Sequence, residues 1–86
     1  SRMKDLPRVV KVFFCEGYKL HVFFSNGEWR GCEMSGMLAQ RPYQQLNDPI
    51  AFRHIHIDDV AGTVAWLSGQ DINPAILYEQ SRPLDV

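Results

Sequence analysis

The stretch Tyr18-Lys19-Leu20-His21-Val22-Phe23-Phe24-Ser25-Asn26-Gly27-Glu28-Trp29-Arg30-Gly31-Cys32 decides the fold. Its first half alternates Tyr18, Leu20, Val22 and Phe24 against Lys19, His21 and Phe23, the two-residue period of a strand with one buried face. Asn26-Gly27 then signals a hairpin, because a two-residue type I′ turn needs positive φ at both central positions. Such a turn pairs Ser25 with Glu28, Phe24 with Trp29 and His21 with Cys32.

Upstream, Arg8 to Phe14 alternates Val10, Val12 and Phe14 against Val9, Lys11 and Phe13. A three-residue loop, Cys15-Glu16-Gly17, with Gly17 at a left-handed bulge position, sets Phe14 opposite Tyr18, Val12 opposite Leu20 and Val10 opposite Val22. A two-residue loop would mix Lys11 into the apolar set, so the hydrophobic pattern itself selects the register. The predicted core face is Val10, Val12, Phe14, Tyr18, Leu20, Val22, Phe24 and Trp29. The opposite face shows Val9, Phe13 and Phe23 among Lys11, Lys19, His21, Arg30 and Cys32.

Beyond residue 34 the period changes. Ser35 is expected to cap a short helical turn through Met37, Leu38 and Ala39, and Pro42 to open a second one reaching Leu46. Asp48-Pro49 and Asn73-Pro74 each repeat a cap-then-proline signature, ahead of Ile50-Ala51-Phe52 and of a final helix from Pro74 to about Gln80. Between them, Arg53 to Asp58 and Thr63 to Leu67 read as a second hairpin turned at Asp58-Asp59-Val60-Ala61-Gly62. The expectation is an α+β fold: an N-terminal three-stranded antiparallel meander, short helices, a second β-hairpin and a short C-terminal helix. Residues 7–80 read as a single α+β domain, with flexible termini at 1–6 and 81–86; Ser1-Arg2 reads as an expression scar.

An apolar fraction of 45% against 22% charged residues excludes a disordered or collagen-like chain. The formal charge of -1 argues against a protein that coats a polyanion. Within that near-neutral total, residues 1–43 carry an excess of Lys and Arg and residues 44–86 an excess of Asp and Glu, a dipolar arrangement suited to protein contacts. No apolar run approaches the roughly 20 residues that span a bilayer, and the opening residues read as no signal peptide. The register separates Cys15 from Cys32 by about 10 Å or more, beyond disulfide reach, so both are expected as free thiols in the cytoplasm.

Few residues invite chemistry. His54 and His56, on one face of the fourth strand, could share a metal, yet a site needs a third ligand, which His21 or Cys32 would have to supply. Cys32 opposite His21 suggests a thiolate–imidazolium pair, but a flat sheet face lacks the oxyanion pocket that a nucleophile needs. Trp66, Gly69 and Asp71 read as structure: a core indole, a turn glycine and a carboxylate bonding turn N–H groups. Asp58-Asp59 likewise reads as a turn. Neither a catalytic residue nor a cofactor is expected.

The apolar residues on the polar side of the meander carry the sharper expectation. Val9, Lys11, Phe13, His21, Phe23, Arg30 and Cys32 form a candidate interaction surface for another protein or for a second copy of the chain. Lysines among aromatics on a sheet also suggest a nucleic-acid platform, but Lys11, Lys19 and Arg30 are few and the chain is net acidic. The reading is a non-enzymatic protein-interaction module. Its rivals are a small metal- or ligand-binding domain or enzyme using His54, His56, His21 or Cys32, and an accessory to a DNA-binding regulator.

Pro7 to Val12, Tyr18-Lys19-Leu20, Phe24 to Glu28, Leu46-Asn47-Asp48-Pro49 with Phe52, and above all Gly62 to Pro74 with its Trp66-x-x-Gly69-x-Asp71 pattern form a recognisable set. Together they resemble one small bacterial family, domain of unknown function 2442. The resemblance runs from about Pro7 to Glu79 and implies a compact α+β fold with no activity, cofactor or catalytic residue to carry over. It also implies relatives that carry the domain beside a helix-turn-helix module. Others look like the antitoxin-like member of a pair with a small protein encoded next door. Trp29, Gly31 and Cys32 depart from the family's usual strand after Asn26-Gly27-Glu28.

Overall fold

The computed structural model describes residues 6–84. Three strands, β1 (Val9–Phe14), β2 (Lys19–Phe24) and β3 (Trp29–Glu33), form the expected antiparallel meander. Two 3-10 turns, Met37–Ala39 and Gln44–Asn47, lead into helix α1 (Pro49–Arg53). The second hairpin is β4 (Ile55–Asp58) with β5 (Thr63–Trp66), followed by α2 (Pro74–Gln80). A two-residue strand, β6 (Arg82–Pro83), then returns to pair with β3, giving a sheet order β1-β2-β3-β6. The segment from Ser81, expected to be flexible, is therefore tied down as far as Leu84, whose N–H bonds the Trp29 carbonyl at 3.1 Å. The expectations for residues 1–5 and 85–86 lie outside the described residues. No helix among the described residues is long and apolar enough to cross a membrane.

The first hairpin keeps its predicted faces but not its predicted pairing. Phe14 pairs with Leu20 and Val12 with Val22, a two-residue displacement that leaves inward residues inward. Gly17, at φ 55, supplies the left-handed position within a Glu16–Lys19 turn. A bulge between Val9 and Lys11 reverses the phase at the start of β1. As a result Val9 is buried and Val10 exposed, the opposite of the sequence expectation. Tertiary bonds account for the bulge: the Val9 N–H reaches the Gly62 carbonyl at 2.9 Å, and the Arg8 guanidinium donates to the Asp59 carbonyl at 2.6 Å. Gly62 (φ 70) permits this clamp twice over, since a Cβ there would lie 2.5 Å from the Arg8 guanidinium.

The second hairpin of the meander differs by one residue, and that changes faces. Gly27 has φ 89 and no non-glycine residue among the described residues has positive φ, so Asn26 does not adopt the type I′ geometry. Instead Ser25-Asn26-Gly27 form a three-residue loop closed by Gly27 N–H to Phe24 O and Phe24 N–H to Glu28 O, both 2.9 Å. The Asn26 side chain holds it, accepting from the Glu28 N–H at 3.1 Å and donating to the Glu28 carboxylate at 3.0 Å. Phe23 therefore pairs with Trp29, His21 with Gly31 and Leu20 with Cys32. Trp29 moves to the outer face, while Arg30 and Cys32 move to the inner one.

The core lies between that inner face and everything that follows it in the chain. Leu20, Val22, Phe24, Cys32 and Met34 pack with Leu38, Leu46, Phe52, Val64, Trp66, Ile72 and Leu77. Helix starts follow the predicted caps at α1 and α2, where Asp48 accepts from the Ile50 N–H and Asn73 from the Ala75 N–H. The first 3-10 turn is capped by Gly36 rather than Ser35, without a side-chain bond, and the second begins at Gln44 rather than Pro42. Phe52 occupies the middle of the core, with ring centroids 5.1 Å from Tyr18, 5.9 Å from Trp66 and 6.2 Å from Phe14. The buried Trp66 indole N–H donates to the Phe52 carbonyl at 2.9 Å, satisfying both groups away from water.

Truncating Phe52 to Ala should lower the unfolding free energy by about 3–5 kcal/mol, because the cavity would open at the centre of this core. Phe13→Ala, on the outer face, should change it by less than about 1 kcal/mol. Urea unfolding of the two variants measures both; equal losses would contradict the assignment of faces.

Candidate functional site: the outer face of the sheet

The outer face is built from three cross-strand rungs. Lys11, Phe23 and Trp29 share the first; Phe13, His21, Gly31 and Arg82 the second; Lys19 and Glu33 the third. Trp29 gathers the aromatic rings into one cluster, its centroid 4.8 Å from Phe23 and 5.6 Å from Phe13, and Lys11 Nζ lies 6.0 Å above the Phe23 ring. Phe13 is 53% exposed, with Phe23 and Trp29 half-buried by one another. Leu84 continues the apolar surface, its side chain 3.0 Å from where a Cβ on Gly31 would stand. Glycine at position 31 thus makes room for a residue of the C-terminal segment. Beside it, Lys19, His21, Glu33 and Arg82 border a shallow pocket of about 260 Å³.

Of the seven residues proposed for this surface from sequence, Lys11, Phe13, His21 and Phe23 lie on it. Val9 and Cys32 are instead buried in the core. Arg30 turns to the inner side and joins a polar knot with Glu28, Tyr78 and Ser81. Its guanidinium donates to the Glu28 carboxylate at 2.6 Å and the Ser81 carbonyl at 2.9 Å, and stacks 4.3 Å above the Tyr78 ring. The Tyr78 hydroxyl donates to Glu28 at 2.9 Å, so the hairpin turn, β3 and the end of α2 are fastened together. Trp29 is the residue that sequence reasoning placed inside and the structure places here.

The remaining candidates disperse. Cys32 faces Leu20 in the core, and His21 pairs with Gly31, so the thiol–imidazole pair is not formed. Burial, helped by the neighbouring Glu33 charge, pushes the Cys32 thiol up to about 11, which keeps it protonated at neutral pH. His54 terminates α1 instead of lying within a strand, while His56 lies exposed on β4 opposite Ala65. Among the described residues no three His, Cys, Asp or Glu side chains gather as a metal group would require. Asp58 closes its turn by accepting from the Val60 and Ala61 N–H groups at 3.0 and 3.1 Å.

The pattern Trp66-x-x-Gly69-x-Asp71 holds the second hairpin against the helical turns. Trp66 is buried, Gly69 (φ 103) turns the chain, and Asp71 bridges to Ala65 through its backbone. The Asp71 carbonyl also accepts from the Tyr43 hydroxyl at 2.9 Å, so its main chain rather than its carboxylate carries the role. With this signature in place, the model of the family described as "Protein of unknown function (DUF2442)" matches residues 9–83. The chain belongs to the DUF2442 family. No curated protein and no solved structure matches it. In this DUF2442 chain, both cysteines are free, Cys15 exposed and Cys32 buried.

Two measurements check the inner-face placements. A thiol reagent should titrate about one cysteine, Cys15, in the native protein and the second only on unfolding; fast reaction at Cys32 would contradict its burial. The hydrogen bond from Tyr78, then that from Arg30, holds the Glu28 carboxyl below its ordinary value near 4.5. Its contribution to stability is therefore present above that value and lost as pH falls through the lower, folded one. Glu28→Gln should be less stable than wild type at pH 7, with the gap narrowing in urea unfolding below about pH 4. A gap independent of pH would contradict the charged network.

Proposed function

We propose that this DUF2442 protein is a non-enzymatic protein-interaction module whose working surface is the outer face of its sheet. One observation carries the reading: Phe13, Phe23 and Trp29 form a contiguous aromatic cluster on the side away from the core that holds the helices. Aromatic rings left in water at the centre of a flat face are what a docking partner buries, and tryptophan is among the residues that contribute most to such contacts. Lys11 and Lys19 with His21 and Glu33 supply a mixed polar rim. The packing of the three rings against each other favours a protein over nucleic acid, for which separate stacking platforms and more cations serve better. The two free thiols fit a reducing cytoplasm, and the partner role fits membership of a two-protein pair.

Immobilised wild type and a Phe13→Glu/Trp29→Glu double variant, each offered cytoplasmic extract, test this. Both should show the same circular dichroism spectrum, and a protein retained by wild type should fall at least about tenfold on the variant, a change of 1.4 kcal/mol in binding. Equal retention by a folded variant would place binding elsewhere and end this reading.

A further inference from the structure

We infer that the outer face docks a second copy of this chain, through a two-fold axis running parallel to the strands between β2 and β3. The inference rests on the reading of that face as a protein-docking surface and names its occupant. In an isologous contact every residue meets the residue that the axis assigns to it, so a face can pair with itself only if its own charges are arranged to match. Here they are. Lys19 and Glu33 sit side by side on the third rung, one on β2 and one on β3. An axis between those strands sets Lys19 over Glu33 of the second copy, and Glu33 over its Lys19. On the first rung it sets Phe23 over Trp29 of the second copy, twice. On the second rung Phe13 falls over the exposed Arg82 guanidinium, a cation–π arrangement, and His21 over Gly31, where the Leu84 side chain of the second copy fills the space a Cβ would take and meets the imidazole.

Other axes fail on the same residues. An axis along β2 stacks Lys19 on Lys19 and His21 on His21. An axis along the second rung presses Lys19 onto Phe23 and Glu33 onto Trp29, leaving both charges without a partner. Three strands of five or six residues and the two-residue β6, spaced about 4.8 Å apart, give a face of at most about 19 by 20 Å. That is small beside the roughly 800 Å² that each partner of a standard interface buries, which points to a weak dimer that dissociates on dilution.

Sedimentation velocity on the 86-residue chain from roughly 5 to 500 μM tests the inference, with circular dichroism confirming that each variant is folded. Wild type should pass from monomer to dimer across that range. Trp29→Glu should weaken association by at least about tenfold, as should the exposed substitution Lys19→Glu, which sets like charges across the axis. The exchange Lys19→Glu/Glu33→Lys should recover association to within about threefold of wild type, because it restores opposite signs in both contacts. A wild type monomeric at the highest concentration overturns the inference. So does a dimer indifferent to Trp29→Glu, or one that the charge exchange does not rescue. If the chain is monomeric while extract capture still depends on Phe13 and Trp29, only the occupant is wrong; if capture fails as well, the docking reading falls with it.

Discussion

The one-residue choice of register between β2 and β3 governs the rest of the molecule. With Phe23 opposite Trp29, the inward set of β3 is Arg30 and Cys32, continued by the buried Met34, and the outward set is Trp29, Gly31 and Glu33. Sliding by one residue would exchange every side chain between the two faces. Glu33 would then point into an apolar core with no partner, and Arg30 would lose Ser81, Tyr78 and Glu28 together. The three-residue loop at Ser25-Asn26-Gly27 is the local device that holds this register, and the Glu28–Arg30–Tyr78 knot is its tertiary reinforcement. Packing, electrostatics and turn geometry agree on one answer, which is the condition for a unique fold.

Much of this was legible in the residues. Strand positions, the α+β order of elements, both proline-led helix caps and the turn role of Asp58 all follow from period and cap chemistry. The β1–β2 pairing, the starts of the 3-10 turns and strand β6 were not, and two further misreadings reached the candidate site. The bulge at Val10 arises from tertiary bonds that Arg8 and Val9 make with a turn some fifty residues away, which no local pattern encodes. The β2–β3 slip did leave a trace: the two-residue turn requires Glu33 to face inward, and Cys32-x-Met34 continues an apolar alternation. Weighing those residues beside the attraction of Asn-Gly for a type I′ turn would have placed Trp29 outside. The site inherited both errors, so Val9, Arg30 and Cys32 left the surface and Trp29 entered it, while Phe13, Phe23 and Lys11 stayed.

The family signature and the outer aromatic face divide the molecule between them. Trp66, Gly69 and Asp71 serve the second hairpin and the core, where the Trp66 indole bonds the Phe52 main chain. The outer face draws instead on the part of β3 after the Asn26 turn. The core-forming residues and the exposed aromatic cluster thus lie on opposite sides of the meander, and substitutions on the outward side leave the packing beneath it in place.

The short strand β6 has a consequence for how the chain is made. Its residues lie about fifty positions after their neighbours on β3, as the 51-residue span between Arg30 and Ser81 indicates. On the ribosome, the meander and its aromatic cluster emerge well before the segment that closes the β3 edge. Until it arrives, a nascent chain presents unpaired N–H and C=O groups next to exposed rings, the combination most prone to off-pathway strand pairing. Sheet completion therefore trails the meander during synthesis, and the β3 edge stays open for the interval between them.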